Sequence, residues 1–115
     1  MKSIVNKTII TVTPKAPFIA WVQSTDESSA DIKAENITES PNAYMVDDTE
    51  DGLDPEKLIK NNFKALFEGE LNGWIVDESI WPSRRDLQTF QKWFQVTVHG
   101  QIFDLGERQV LTEEW

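Results

Sequence analysis

Residues 71–94 read LNGWIVDESIWPSRRDLQTFQKWF, and the reading of this stretch decides the fold. Trp74, Trp81 and Trp93, three of the five tryptophans, fall here beside Phe90 and Phe94. Two charged pairs, Asp77-Glu78 and Arg84-Arg85, are interleaved with them. Large aromatics supply much of the buried area of a small domain, so the core is expected to be anchored here. Charges held beside such a core must pair or meet a ligand. Asp77, Glu78, Trp81, Arg84, Arg85 and Trp93 are therefore candidate binding residues, with His99, the single histidine, as a seventh.

Within the stretch, Pro82 pushes Trp81 toward an extended conformation. Ser83-Arg84-Arg85-Asp86 has the spacing of a capped helix start, which predicts a helix from Ser83 to Phe94 with Leu87, Phe90 and Phe94 on one face. Two arginines in a first turn oppose the helix's positive end unless an anion sits nearby. That anion is either Asp77, Glu78 or Asp86, which makes the segment a brace, or a bound carboxylate or phosphate. The brace is favoured, and it requires a guanidinium within about 4 Å of one of the three acids.

Upstream, Asp54-Pro55-Glu56 opens the clearest helix, with a capping residue followed by proline at the first helical position. Ile59, Phe63, Leu66, Phe67, Leu71 and Trp74 trace its apolar stripe, and Gly69 and Gly73 weaken its last turns. Ala43–Val46 reads as a short strand. Residues 23–42 are polar and read as a loop, unable to bury enough apolar surface to fix itself. Lys2–Val12 reads as a strand with apolar residues on both alternating sets, ended by Pro14 and Pro17. Residues 15–23 then read as a short helix, a second strand over Phe18–Val22 being the competing reading.

Downstream, Val96–Leu105 reads as a strand, with Val96, Val98 and Ile102 on one face and Thr97, His99, Gln101, Phe103 and Leu105 on the other. Gly100 marks a bulge or crossing point, and residues 106–115 form a charged tail. The order β-α-β-α-α-β gives an α/β or α+β fold, a sheet of about three strands with helices packed against it. Because free edges invite pairing, Val96–Leu105 is expected inside the sheet, the first strand beside it and Ala43–Val46 outermost. Self-association would then use aromatic contacts such as Trp21, Trp81 or Trp115.

A chain of 115 residues is read as one domain, 1–115. It has no cysteine, hence no disulfide and no thiolate metal site. No apolar run suits a signal peptide or a membrane span, so a cytoplasmic location without membrane contact is expected. The net charge is −9, and residues 23–57 alone carry eleven acids against two lysines. A field of that sign repels phosphate backbones, which argues against nucleic acid; it suits a basic partner or simple solvation.

The run Asp47-Asp48-Thr49-Glu50-Asp51-Gly52 imitates a calcium loop, but Leu58 stands where a bidentate glutamate is needed and Pro55 interrupts it. No metal site or cofactor is expected. His99 has no serine-nucleophile signature beside it, so it is read as structural and no catalytic residue is named.

Pro17-Phe18 with Trp21, Trp74 to Glu78, Trp81-Pro82 with Arg85, Phe90, Trp93-Phe94, and Val98-His99 with Phe103-Asp104-Leu105 form a combination that resembles a family of short, acidic, uncharacterised bacterial cytoplasmic proteins. The resemblance implies a bacterial cytoplasmic origin and a single-domain fold, and no activity.

The expected role is a small non-catalytic protein-binding or regulatory domain. The alternative is an anion binder or minor hydrolase using residues 77–86 with His99, and a third reading is an acidic inhibitor or decoy of a basic protein. The binding reading expects an exposed aromatic patch without a pocket. The enzyme reading expects a concave site where His99 and at least two carboxylates meet.

Overall fold

The computed structural model describes residues 1–25, 31–38, 41–48 and 52–114. Its elements are β1 (Lys2–Ile4), β2 (Lys7–Pro14), α1 (Ala16–Ser24), α2 (Ala34–Thr38), β3 (Asn42–Asp47), α3 (Pro55–Asn72), a 3₁₀ turn (Glu78–Ile80), α4 (Leu87–Trp93), β4 (Phe94–His99) and β5 (Ile102–Asp104). They form an α+β fold with an antiparallel three-stranded sheet, order β3-β2-β4, and a two-stranded ribbon of β1 and β5.

The sheet corrects the expected strand order. β2 is central and β4 is an edge. The reason lies in the side chains. β2 buries Thr8, Ile10, Val12 and Pro14 on one face and half-covers Lys7, Ile9, Thr11 and Thr13 on the other, whereas β4 leaves Gln95, Thr97 and His99 exposed. Only β2 has material for both faces. Pro14, which has no N–H to give, is tolerated because β3 pairing ends at Val12↔Asn42 and only Phe94 lies opposite it.

The two long strands read from sequence are each broken. Ile9 faces His99, but Ile4 faces Ile102. Four residues on one strand therefore oppose two on the other, the register slips, and β1 and β5 leave the sheet as a pair. Gly100 lies at the break, as its position suggested.

α1 settles the helix-or-strand alternative at residues 18–22 in favour of helix, with Pro17 in its first turn. It runs to Ser24, so residues 23 and 24 are not loop, and Asn42 opens β3. The polar segment also holds α2, whose Ile37 is 5 % exposed and joins the core. Gln23 Nε2 donates to Ile32 O at 2.7 Å, tying the described part of the segment to α1. Residues 26–30 and 39–40 lie outside the described residues.

α3 starts as its sequence indicates: Asp54 accepts from the Lys57 N–H at 3.2 Å and Pro55 is the first helical residue. It ends at Asn72, so Trp74 leaves the expected stripe and is 39 % exposed. α4 corrects the expected helix start. Its cap is Asp86, which accepts from the Thr89 N–H at 2.8 Å, not Ser83. Arg84 and Arg85 therefore precede the helix and do not load its first turn. Phe94 already belongs to β4.

The core lies between the sheet and the helices: Ile10, Val12, Phe18, Val22, Leu66, Phe67, Leu71, Phe90 and Phe94 are all buried. Phe67 is its hub, with ring centroids 5.8 Å from Phe90, 5.5 Å from Phe94 and 5.6 Å from Trp93. Such pairs contribute about 0.5–1.5 kcal/mol each beyond their buried area. Among the described residues no helix is long and apolar enough to cross a membrane.

Candidate functional site

Two places gather polar chemistry around the core: the turn from Ile75 to Asp86, and a cavity between α2, the start of β3 and the end of α3. The first holds five of the seven residues singled out from sequence, all but Trp93 and His99. The second was not foreseen.

In the turn, each named group has a local task. Asp77 caps the 3₁₀ turn, accepting from the Ser79 N–H at 3.0 Å and the Ser79 hydroxyl at 2.7 Å, and these bonds hold its carboxyl below the usual carboxylate range. Glu78 opens that turn and is exposed. Trp81 is half-buried against the core and its Nε1 donates to Ile75 O at 2.8 Å. Arg85 lies over the Trp81 ring, 5.6 Å from its centroid, and donates to Pro82 O at 3.0 Å. Arg84 Nε donates to Asp86 at 2.8 Å. The bonds from Thr89 and Arg84 push the Asp86 carboxyl well below its ordinary value, and Asp86 raises the Arg84 guanidinium in return.

The brace is therefore present, through Asp86 and not through Asp77 or Glu78. One arginine is paired and the other is stacked and bonded to a carbonyl.

Trp93 is half-buried among Phe18, Trp21 and Phe67, with centroids at 6.3, 6.4 and 5.6 Å, and acts as packing. His99 is exposed at the end of β4, where its Nε2 lies 2.7 Å from the Thr11 hydroxyl. Alternation along β4 puts it on the face turned away from Phe94, Val96 and Val98, whereas Trp81 packs on the helix side. The structure does not bring His99 together with the 77–86 region. Among the described residues no group of three or more metal-ligating side chains converges. Residues 49–51 of the calcium-like run and Trp115 lie outside the described residues.

The cavity, of about 360 Å³, is lined by Asn36, Ile37, Asn42, Glu70 and Trp74, together with Pro14, Pro41 and Gly73. Glu70 is 5 % exposed, a buried carboxylate on the last turns of α3. Its Oε2 accepts from the Tyr44 hydroxyl at 2.5 Å and from Asn42 Nδ2 at 2.7 Å. Burial, then the adjoining carboxylate, pushes the Tyr44 phenol far above its usual range, so it remains a donor at all physiological pH. Gly69 makes this approach possible: a Cβ there would stand 2.9 Å from the Tyr44 hydroxyl oxygen.

Both bonds fall on Oε2, which leaves Oε1 without a donor among the described residues. No fully enclosed side-chain oxygen or nitrogen among them lacks a partner. Oε1 therefore keeps an accessible surface, and Glu70 is one of the residues that line the cavity. No lysine, arginine or histidine is among the described lining residues.

The sequence did carry a signal for this site. Glu70 interrupts the stripe Phe63, Leu66, Phe67, Leu71, Trp74, on the side that should be apolar. Tyr44 and Asn42 alternate onto the core face of their strand, and a small residue at 69 admits the ring. Polar residues placed where packing expects apolar ones mark a buried network.

Comparison with known proteins adds no relative: no family model, no curated protein and no solved structure matches the chain.

Proposed function

We propose that the protein is a small non-catalytic binding domain that engages a protein partner at the face where the Glu70 cavity opens. The observation that carries this reading is the cavity itself, a concave space with a buried carboxylate on its wall and a partly exposed tryptophan at its edge. Concave sites with few fixed polar groups are the usual place for recognition, and tryptophan is favoured where partners anchor. The chain that follows also leaves Val76 77 % and Ile80 43 % exposed. The binding reading expected an exposed aromatic patch without a pocket; the partly exposed tryptophan is Trp74, and it borders a pocket.

The hydrolase alternative draws no support from the geometry. His99 and the arginine brace sit on different sides of the sheet, and the arginines are engaged by Asp86, Pro82 and Trp81. The third reading, an acidic protein directed at a basic one, is consistent with the chosen site and with the net charge of −9.

Amide-resolved NMR with an unbiased set of short peptides tests the proposal. Shifts should move at Asn36, Ile37, Asn42 and Gly69–Trp74. A response concentrated on residues 77–86 and His99 would overturn it in favour of the anion-binding reading.

A further inference from the structure

We propose that the Glu70 cavity is the receptor for a single cationic side chain, an arginine or lysine presented by a basic partner polypeptide. This inference rests on the binding reading and names its ligand chemistry. Four observations point the same way. Glu70 is buried and lines the cavity, Tyr44 and Asn42 fix its carboxylate through Oε2, and Oε1 is left without a donor among the described residues. Charge-assisted bonds to such a carboxylate are the strong ones, and guanidinium and ammonium groups are their donors.

Trp74 lines the same space, and a tryptophan face attracts a cation electrostatically. The side-chain carbonyls of Asn36 and Asn42 supply further acceptors for a many-donor head group, while Ile37, Pro14 and Pro41 suit its methylene stem. The described lining carries one formal charge, that of Glu70, and no resident cation answers it. The chain's net charge of −9 attracts basic partners over a distance and raises their encounter rate, an effect that salt weakens.

An anion is excluded by the same wall: a phosphate or carboxylate beside Oε1 would meet a like charge with no arginine or lysine to offset it. A wholly apolar side chain would strip Oε1 of water and give nothing in return. The cation satisfies both the carboxylate and the aromatic edge.

The test uses acetyl-Gly-Arg-Gly-amide, its lysine analogue and its citrulline analogue, the last a neutral copy of arginine. Each is titrated into labelled wild-type protein and into Glu70→Gln. Glutamine keeps a carbonyl oxygen for Tyr44 and Asn42, so the fold is retained while the charge is removed; the amide spectrum verifies this. The expected result is saturable shifts at Asn36, Asn42 and the Trp74 indole with the two cationic peptides, weaker by about tenfold or more with citrulline and with Glu70→Gln.

Trp74→Leu should weaken the arginine peptide in the same direction without disturbing Tyr44. Equal binding of arginine and citrulline peptides, or an unaltered affinity in Glu70→Gln, would overturn the cation proposal. If neutral peptides move the cavity amides and cationic ones do not, the cation assignment fails while the binding reading stands. If no peptide moves them, both fall.

Discussion

Gly69→Ala separates two effects that act in opposite directions at one position of α3. Helix propensity alone favours alanine over glycine in a helix interior by about 0.8–1 kcal/mol. The tertiary structure opposes it, because the new Cβ would lie 2.9 Å from the Tyr44 hydroxyl oxygen, 3.3 Å from Cε1 and 3.4 Å from Cζ. Relief requires the ring to withdraw by several tenths of an ångström, away from the bond to Glu70 Oε2. A hydrogen bond to a charged acceptor contributes about 1.5–3 kcal/mol, and loss of much of it outweighs the propensity gain. The expected net effect is destabilisation by about 1 kcal/mol, a fall in Tm of about 4 °C for a domain of this size.

Tyr44→Phe removes the closest atom and the bond that held the ring in place, leaving only the 3.3 and 3.4 Å contacts, which a free ring can relieve. In that background alanine at 69 should be neutral or stabilising, so the two substitutions are strongly non-additive. Urea denaturation of the four proteins of the cycle, with midpoints compared at a constant slope, measures this. If Gly69→Ala stabilises the wild-type protein by the full propensity value, the Tyr44–Gly69 approach is absent and the description of the cavity wall fails with it.

Three further perturbations test the brace and the sheet face. Asp86, with its pKa depressed by the bonds from Thr89 and Arg84, contributes stability that is complete above its unfolded value, about pH 4, and drains away as pH falls toward the folded value. Asp86→Asn keeps a capping oxygen but does not titrate, so the wild-type advantage measured by urea midpoints should shrink from neutral pH to about pH 3; a constant gap would contradict the assignment. Arg85→Ala should cost about 1 kcal/mol through loss of the Trp81 stacking and the Pro82 bond, and red-shift Trp81 fluorescence as the ring gains solvent. His99→Ala should change stability by no more than about 0.5 kcal/mol, since His99 is exposed and its side chain is bonded only to Thr11 among the described residues, the bond from the Thr8 hydroxyl falling on its backbone carbonyl; a loss of several kcal/mol would reveal an unrecognised structural role.

What was legible in the sequence is what local rules decide. Asp54-Pro55 and the 3.6-residue stripe located α3 because cap, proline and periodicity agree there. α4 was placed three residues early because Ser83 and Asp86 are both capable caps. The choice between them falls to contacts outside the helix: Asp86 holds Arg84, while Arg85 turns back over Trp81 and Pro82. The strand order failed for a related reason. Val96–Leu105 looks like one long strand only while its pairing is ignored. The two-residue slip between Ile9↔His99 and Ile4↔Ile102 is a property of two segments together and has no local signature.

Glu70 was passed over for a different reason, and its position has a physical consequence. A leucine at 70 would have continued the apolar stripe and avoided the desolvation of a carboxylate, which for buried charges often exceeds what pairing returns. It would also have left the half-buried Tyr44 hydroxyl facing an apolar wall without the acceptor it has now, while the exposed Asn42 amide would turn to water. The three residues are therefore explicable only as a set, made possible by Gly69. A set built purely to hold β3 against α3 would satisfy both carboxylate oxygens, since a half-committed buried charge is the least favourable state of such a network. Here both donors converge on Oε2, and Oε1 is left uncommitted on a residue that lines the same cavity as Trp74. On the reading proposed above, the oxygen held by Tyr44 and Asn42 orients the carboxylate and the uncommitted one receives a molecule from outside.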